Sequence, residues 1–157
     1  MNPDLDDPRI SAFGMLLEAH AALVATVGSD LEEVSGLPLS SFGILLRLAR
    51  TPGRRLRMTE LAGQASLSTS GLTRLVDRLE EAGYLRREPC RSDRRASLAV
   101  LTDLGAEVVD KALPSHLDCL ERTMVEPLGP IGVVDLTAML AIVRDRARGV
   151  PPRPLDP

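Results

Sequence analysis

Apolar residues recur at three- and four-residue steps near the start of the chain: Ile10, Phe13, Leu17, Ala21 and Val24, then Leu31 after one seven-residue step. That spacing keeps them on one side of a helix and predicts one over residues 8 to 34, with Pro8 in its first turn. Gly36-Leu37-Pro38 should end it. Ser40 is expected to cap a second helix whose apolar stripe is Ile44, Leu45 and Leu48, and Thr51-Pro52-Gly53 signals a turn. A very short strand at Leu56-Arg57-Met58 leads into a helix that opens at Thr59-Glu60 and ends near Ala65. Ser66-Leu67 reads as a tight turn, and Ser68 begins a longer helix that Gly83 stops in the C′ position.

Residues 84–88 and 95–101 read as two short strands, the second alternating through Ala96, Leu98 and Val100. The polar segment 89–94 would form the hairpin tip. Thr102-Asp103 should cap a helix over residues 103–125, bent at Pro114. A last helix is predicted over 133–148, with Leu136, Met139, Leu140 and Val143 on one side, followed by an extended, mobile tail over 149–157. No internal repeat is visible. This order predicts a mainly α fold with a small β-hairpin wing, that is, an α+β chain.

With 157 residues and 44% hydrophobic content, the chain can form one compact domain, or a small domain plus a dimerisation element. Aromatic residues are nearly absent, which argues against stacking platforms for single-stranded nucleic acid. No uninterrupted apolar run reaches about 18 residues, so no membrane span is expected. The start, Met1-Asn2-Pro3-Asp4-Leu5-Asp6-Asp7, is acidic and unlike a signal peptide, which makes the cytoplasm the expected location. Cys90 and Cys119 have neither zinc spacing nor a CxxC arrangement, and read as ordinary free thiols, with an oxidant sensor as the alternative.

The net charge of −3 on its own disfavours a nucleic-acid partner, but its distribution reverses that. Between Arg47 and Arg95 twelve arginines stand against six acidic residues, whereas the remainder carries seven basic and sixteen acidic residues. A basic middle between acidic ends is an electrostatic footprint for phosphate in one segment.

The segment from Leu61 to Leu75 carries that footprint's chemistry. Ala62 is small enough for two helices to cross steeply, and Leu61, Ala65, Leu67, Leu72 and Leu75 fall where such a pair shares a core. Thr69, Ser70, Thr73, Arg74, Asp77 and Arg78 are left on the outer face of the second helix, polar and able to approach base edges and phosphates. The hairpin that follows holds Arg86, Arg87, Arg91, Arg94 and Arg95, a tip suited to the electronegative minor groove. The bland readings are a helical hairpin with a polar outer face and a basic tip that discourages edge-to-edge aggregation. The succession of both features favours DNA.

The run Leu72-Thr73-Arg74-Leu75-Val76-Asp77-Arg78-Leu79-Glu80-Glu81-Ala82-Gly83-Tyr84-Leu85, followed by Asp93-Arg94-Arg95 and Leu101-Thr102-Asp103-Leu104-Gly105, resembles the MarR (multiple antibiotic resistance regulator) family. The resemblance extends over residues 10–147 and is sharpest over 61–105. It implies a winged helix-turn-helix over residues 40–102 and dimerisation helices over 8–35 and 103–148. It further implies an intertwined, triangular homodimer on palindromic double-stranded DNA, acting as a repressor released by a small-molecule effector or by oxidation.

By that resemblance Ser68, Thr69 and Ser70 start the recognition helix, Thr73 and Arg74 follow one turn on, and Arg78 lies near the DNA backbone. Arg91 and Arg94 belong to the DNA-binding tip, with Arg94 the candidate for minor-groove insertion, and an Asp93–Arg95 ion pair would brace it. Ser66 stands where the family often has a turn glycine. Gly71 stands where a side chain would otherwise reach a base.

His20 on the first helix is read as satisfied or exposed, with a ligand pocket as the alternative. No Ser-His-Asp set, HExxH motif, phosphate-cradling glycine loop or metal spacing appears, so no catalytic residue, cofactor or metal is expected. The competing reading is a winged-helix module for protein contacts or architecture, without specific DNA readout.

Overall fold

The computed structural model describes residues 5–65, 67–90 and 93–149, apart from the side chains of Arg94 and Arg95. The turn closure expected at Ser66, the role given to Arg91 and the tail from residue 150 onward lie outside the described residues. The chain divides into two compact units, Met1–His116 and Leu117–Pro157.

The first unit begins with α1 (Pro8–Ser35), capped by the Asp7 carboxylate, which accepts the Arg9 amide at 2.8 Å. Gly36 ends it with φ 68°, a left-handed conformation that glycine adopts without strain. Only Val27 and Leu31 of α1 are buried within the chain; Ile10, Phe13, Leu17 and Val24 of the expected stripe are exposed. α2 (Leu39–Ala49) buries Ile44, Leu45 and Leu48 as the periodicity predicts. Its cap, however, is Pro38 rather than Ser40, because the Pro38 carbonyl already accepts the amides of Ser41 and Phe42.

A 3₁₀ turn (Pro52–Arg54) follows, then β1 (Arg55–Arg57), α3 (Met58–Ala65) and α4 (Thr69–Glu81). α4 is the most sharply sided helix. It buries Leu72, Leu75, Val76 and Leu79 against a core that includes Phe42, Leu45, Leu48 and Leu61. It closes as a Schellman motif: the Gly83 amide donates to the Glu80 carbonyl and the Tyr84 amide to that of Leu79, both at 2.9 Å.

β2 (Leu85–Cys90) and β3 (Asp93–Leu101) form the hairpin, and β1 pairs on the far side of β3, so the antiparallel order is β1-β3-β2. The strands run further toward the tip than residues 88 and 95, with an irregularity between Pro89 and Cys90. Cross-strand backbone pairing needs no apolar side chains, and a proline that cannot donate to the ladder leaves an irregularity at that point.

The alternation expected for β3 also needs correction. Ala99 and Leu101 belong to the core cluster, whereas Ala96 and Leu98 are only half-buried. β3 is the central strand, so Val100 on its other face is buried as well, and a two-residue pattern no longer marks one side as inner.

Thr102 links the wing to α5 (Asp103–Leu120). Its hydroxyl donates to the Gly83 carbonyl at 2.7 Å and accepts the Gly105 amide at 3.0 Å, which makes it the expected N-cap. Gly105 is packed so closely that a Cβ there would lie 2.0 Å from the Tyr84 carbonyl oxygen. Pro114 lies inside α5.

The second unit contains the end of α5, a π-helical turn (Glu121–Val125) and α6 (Glu126–Ala147). The loop expected before residue 133 is replaced by helix. The break comes at Gly129, with φ 69° and ψ 163°; Pro130 disfavours helical geometry in the residue before it, and the positive φ is one that glycine adopts without strain. No residue of α6 is buried. By length and composition alone, α1 and the helical run Asp103–Ala147 could each cross a membrane. Neither stretch is an uninterrupted apolar run, because isolated polar residues interrupt it while barely lowering its mean hydropathy.

Candidate nucleic-acid interface

Local chemistry sets the entry to α4. Ser68 is extended, and its hydroxyl accepts the Gly71 amide at 3.1 Å. That satisfies one of the donors left open at a helix start and aims the remaining amides outward. Gly71 is the third helical residue, where a Cβ would come 3.1 Å from the same Ser68 oxygen. Its hydrogen thus leaves room for the cap, a role that its position in the helix alone did not suggest.

The outer face of α4 presents Thr69, Ser70, Thr73, Arg74 and Arg78, all exposed. Thr73 turns its hydroxyl back to the Thr69 carbonyl at 2.8 Å. Among the described residues neither Arg74 nor Arg78 has an acidic partner, so both charges remain available to an anion. Asp77, expected on the same open face, is half-buried and engaged with the hairpin.

Its partner is Arg87, whose sequence position suggests only one more basic residue of the wing. The Arg87 guanidinium binds Asp77 at 2.6 Å and Glu80 at 2.5 Å, and its backbone amide donates to Glu80 at 2.7 Å. Burial works against the charge, but the hydrogen bonds that Arg87 donates to Asp77 and Glu80 hold its pKa above the ordinary arginine value. The signal in the sequence was a pair of acids three residues apart on one helix, invisible until β2 is placed beside them. Arg86 is likewise paired, with Glu88 at 2.8 Å.

At the wing, the backbones of Arg94 and Arg95 lie in β3, and their side chains are outside the described residues. Asp93 forms an ion pair with Arg57 of β1 at 3.8 Å; the expected Asp93–Arg95 pair involves a side chain outside the described residues.

A cavity of about 630 Å³ in the first unit is lined by His20, Val24, Phe42, Arg47, Leu67 and His116, among others. It brings together two histidines that the sequence keeps far apart. The His116 ring meets Phe42 edge-on at 5.0 Å, and its buried Nδ1 has no hydrogen-bond partner. Desolvation lowers its pKa and favours the neutral ring. Arg47 donates to the Gly43 carbonyl at 2.7 Å, and its pKa is lowered by burial and by the neighbouring Arg50. Among the described residues no cluster of three metal-ligating side chains occurs, and both cysteines are buried.

Comparison with known proteins agrees with this geometry. Residues 35–96 match the model of the MarR family. The chain is 34% identical to Sco3205, a MarR family transcriptional regulator from Streptomyces coelicolor solved in complex with DNA. That match covers 99% of this chain and 96% of the other, with a TM-score of 0.84. It is 33% identical to AbsC, a MarR family regulator from the same organism, covering 94% and 99% with a TM-score of 0.85. It is also 28% identical over 142 residues to the HTH-type transcriptional regulator PecS of Dickeya dadantii, covering 90% of this chain and 84% of the relative. With its winged helix-turn-helix and two relatives matched over nearly their full length, this chain belongs to the MarR family of transcriptional regulators.

Proposed function

We propose that the protein is a sequence-specific regulator that binds palindromic double-stranded DNA as a homodimer and represses transcription until an effector releases it. The observation that carries this reading is the outer face of α4, where small polar residues and two unpaired arginines lie beside a basic hairpin. α4 enters the major groove, with Ser68, Thr69, Ser70, Thr73 and Arg74 toward the bases and Arg78 toward phosphate. The wing, with Arg91, Arg94 and Arg95, reaches the adjacent minor groove, and Asp93 braces it.

Residues 40–102 form the DNA-binding part, and residues 8–35 and 103–148 form the dimer. The exposed apolar residues of α1 and α6 support this, because a second copy would cover them. On this reading the two apolar helical stretches meet protein rather than lipid, and the regulator works in the cytoplasm without catalytic activity. The cavity between α1, α2 and His116 receives the effector, beside the turn that leads into α4.

The test is to recover bound fragments from genomic DNA, then titrate the best of them at two salt concentrations. Arg94→Ala should weaken binding markedly and flatten its salt dependence while leaving fold and dimer intact. Asp93→Ala should weaken binding although it removes a negative charge. Equal affinity for every fragment would favour an architectural module instead.

A further inference from the structure

The recognition helix and the wing are usually counted as two separate probes, but here one side chain spans them. Arg87 projects from β2, and its guanidinium divides its donors between Asp77 and Glu80, one helical turn apart on α4. The same Nη2 that binds Asp77 also lies 3.4 Å from the Thr73 carbonyl, nearer the start of the helix. Glu80 completes the attachment by also accepting the Arg87 amide, so the β2 backbone is itself fixed to α4.

Beside this cross-link the helix and the sheet stand apart over a cleft of about 350 Å³ lined by Met58, Thr69, Thr73, Asp77, Arg87 and Ser97. α4 and the hairpin share the core through Leu72, Leu75, Val76, Leu79, Leu85, Ala99 and Leu101, but the cleft, which Leu72 also lines, leaves the outer edge of that contact open. At that edge the polar link joins the two.

We propose that Arg87 is a positioning residue that locks the wing to the recognition helix, so that both grooves are read by one rigid body, and that it makes no phosphate contact of its own. Two carboxylates already neutralise its charge, and both terminal nitrogens of the guanidinium are engaged within the fold, so it brings no uncompensated charge to a phosphate. The two acids, although unfavourable to DNA as charges, serve binding by holding the wing. This inference rests on the DNA-binding reading above for its functional consequence, but its mechanical part does not.

The experiment uses the full-length protein and the Arg87→Gln and Asp77→Asn variants, each with helix content and melting checked. On a genomic fragment recovered by selection, dimethyl sulfate probes guanine N7 in the major groove and adenine N3 in the minor groove together. Both variants should keep guanine protection, lose the flanking adenine protection, and bind on the order of tenfold more weakly. The dependence of affinity on salt should keep its slope.

A slope reduced by about 0.9 for Arg87→Gln would make it a phosphate contact and overturn the proposal. So would tighter binding by Asp77→Asn, the result expected if that acid only repels DNA. Amide hydrogen exchange without DNA provides the second arm: β2 and β3 should exchange faster in both variants while the buried part of α4 does not. If exchange changes as stated but even the parent protein protects no DNA, the DNA-binding reading fails and the lock stands. Unchanged exchange in both variants would overturn the lock itself.

Discussion

A methyl group at residue 105 would sit 2.0 Å from the Tyr84 carbonyl oxygen and 2.8 Å from a Leu101 methyl. Backbone cannot yield as the tip of a side chain can, so Gly105→Ala should cost at least the overpacking penalty of about 1–3 kcal/mol. Urea denaturation, compared with the mild Gly63→Ala control on an open surface, would reveal it; a loss below half a kcal/mol would mean that the junction is looser than described. His116 is constrained differently. Its pKa is lowered in the folded chain by desolvation, so the unfolded chain binds the proton more readily. Its contribution to stability is therefore full above the unfolded value of about 6.5 and is lost as pH falls toward the folded value. Stability measured across that window should drop toward acid pH in the parent protein and less steeply in His116→Phe. An identical pH profile in the two proteins would remove His116 from the account.

α4 and its boundaries were legible in the sequence because everything that fixes them is local: Ser68 at the cap, Leu72, Leu75 and Leu79 on one side, and Gly83 at the stop. Ser68→Ala should accordingly cost about 1 kcal/mol of stability. A loss confined to DNA affinity would show instead that the hydroxyl reads a base. The two arginines of this helix should separate in function. Arg74→Ala should relax base preference at a cost of about 1–3 kcal/mol, whereas Arg78→Ala should weaken all fragments alike. Competition titrations with single-base operator variants would tell them apart, and a uniform loss for Arg74→Ala would make it a backbone contact. The elements read less well are those decided by distant neighbours. The inner face of β3 depends on having strands on both sides, and the Arg87 link depends on β2 lying against α4. Neither leaves a periodic trace, since residues 77, 80 and 87 look like ordinary surface charges until they meet. Residues 126–132 leave no trace either: Gly129 and Pro130 mark a break, but not that helix lies on both sides of it.

At the scale of the whole molecule, α1 and α6 are apolar without a preferred side. Phe13 is 63% exposed and Met15 65% in α1, as are Val134 67% and Met139 57% in α6, and neither pair shares one stripe of its helix. Helices of that kind are stable when covered from several directions, so removing residues 1–30 or 133–157 should destroy dimerisation or solubility. A truncated chain that stayed a folded, DNA-binding monomer would refute the assignment of these helices. Thermal unfolding should also shift to lower temperature on dilution, as it does when folding and association are one event. The same uncovered surface has a consequence for the cell. If the dimer proposed above covers these helices, a newly made chain would have to meet a sibling before proteases or chaperones reach them, and that encounter would depend on how many copies are present. Below a threshold of synthesis nearly every chain would be cleared alone, and above it the surviving pairs would accumulate steeply. The regulator's own abundance would then act as a switch, set by the rate of its translation before any effector is present.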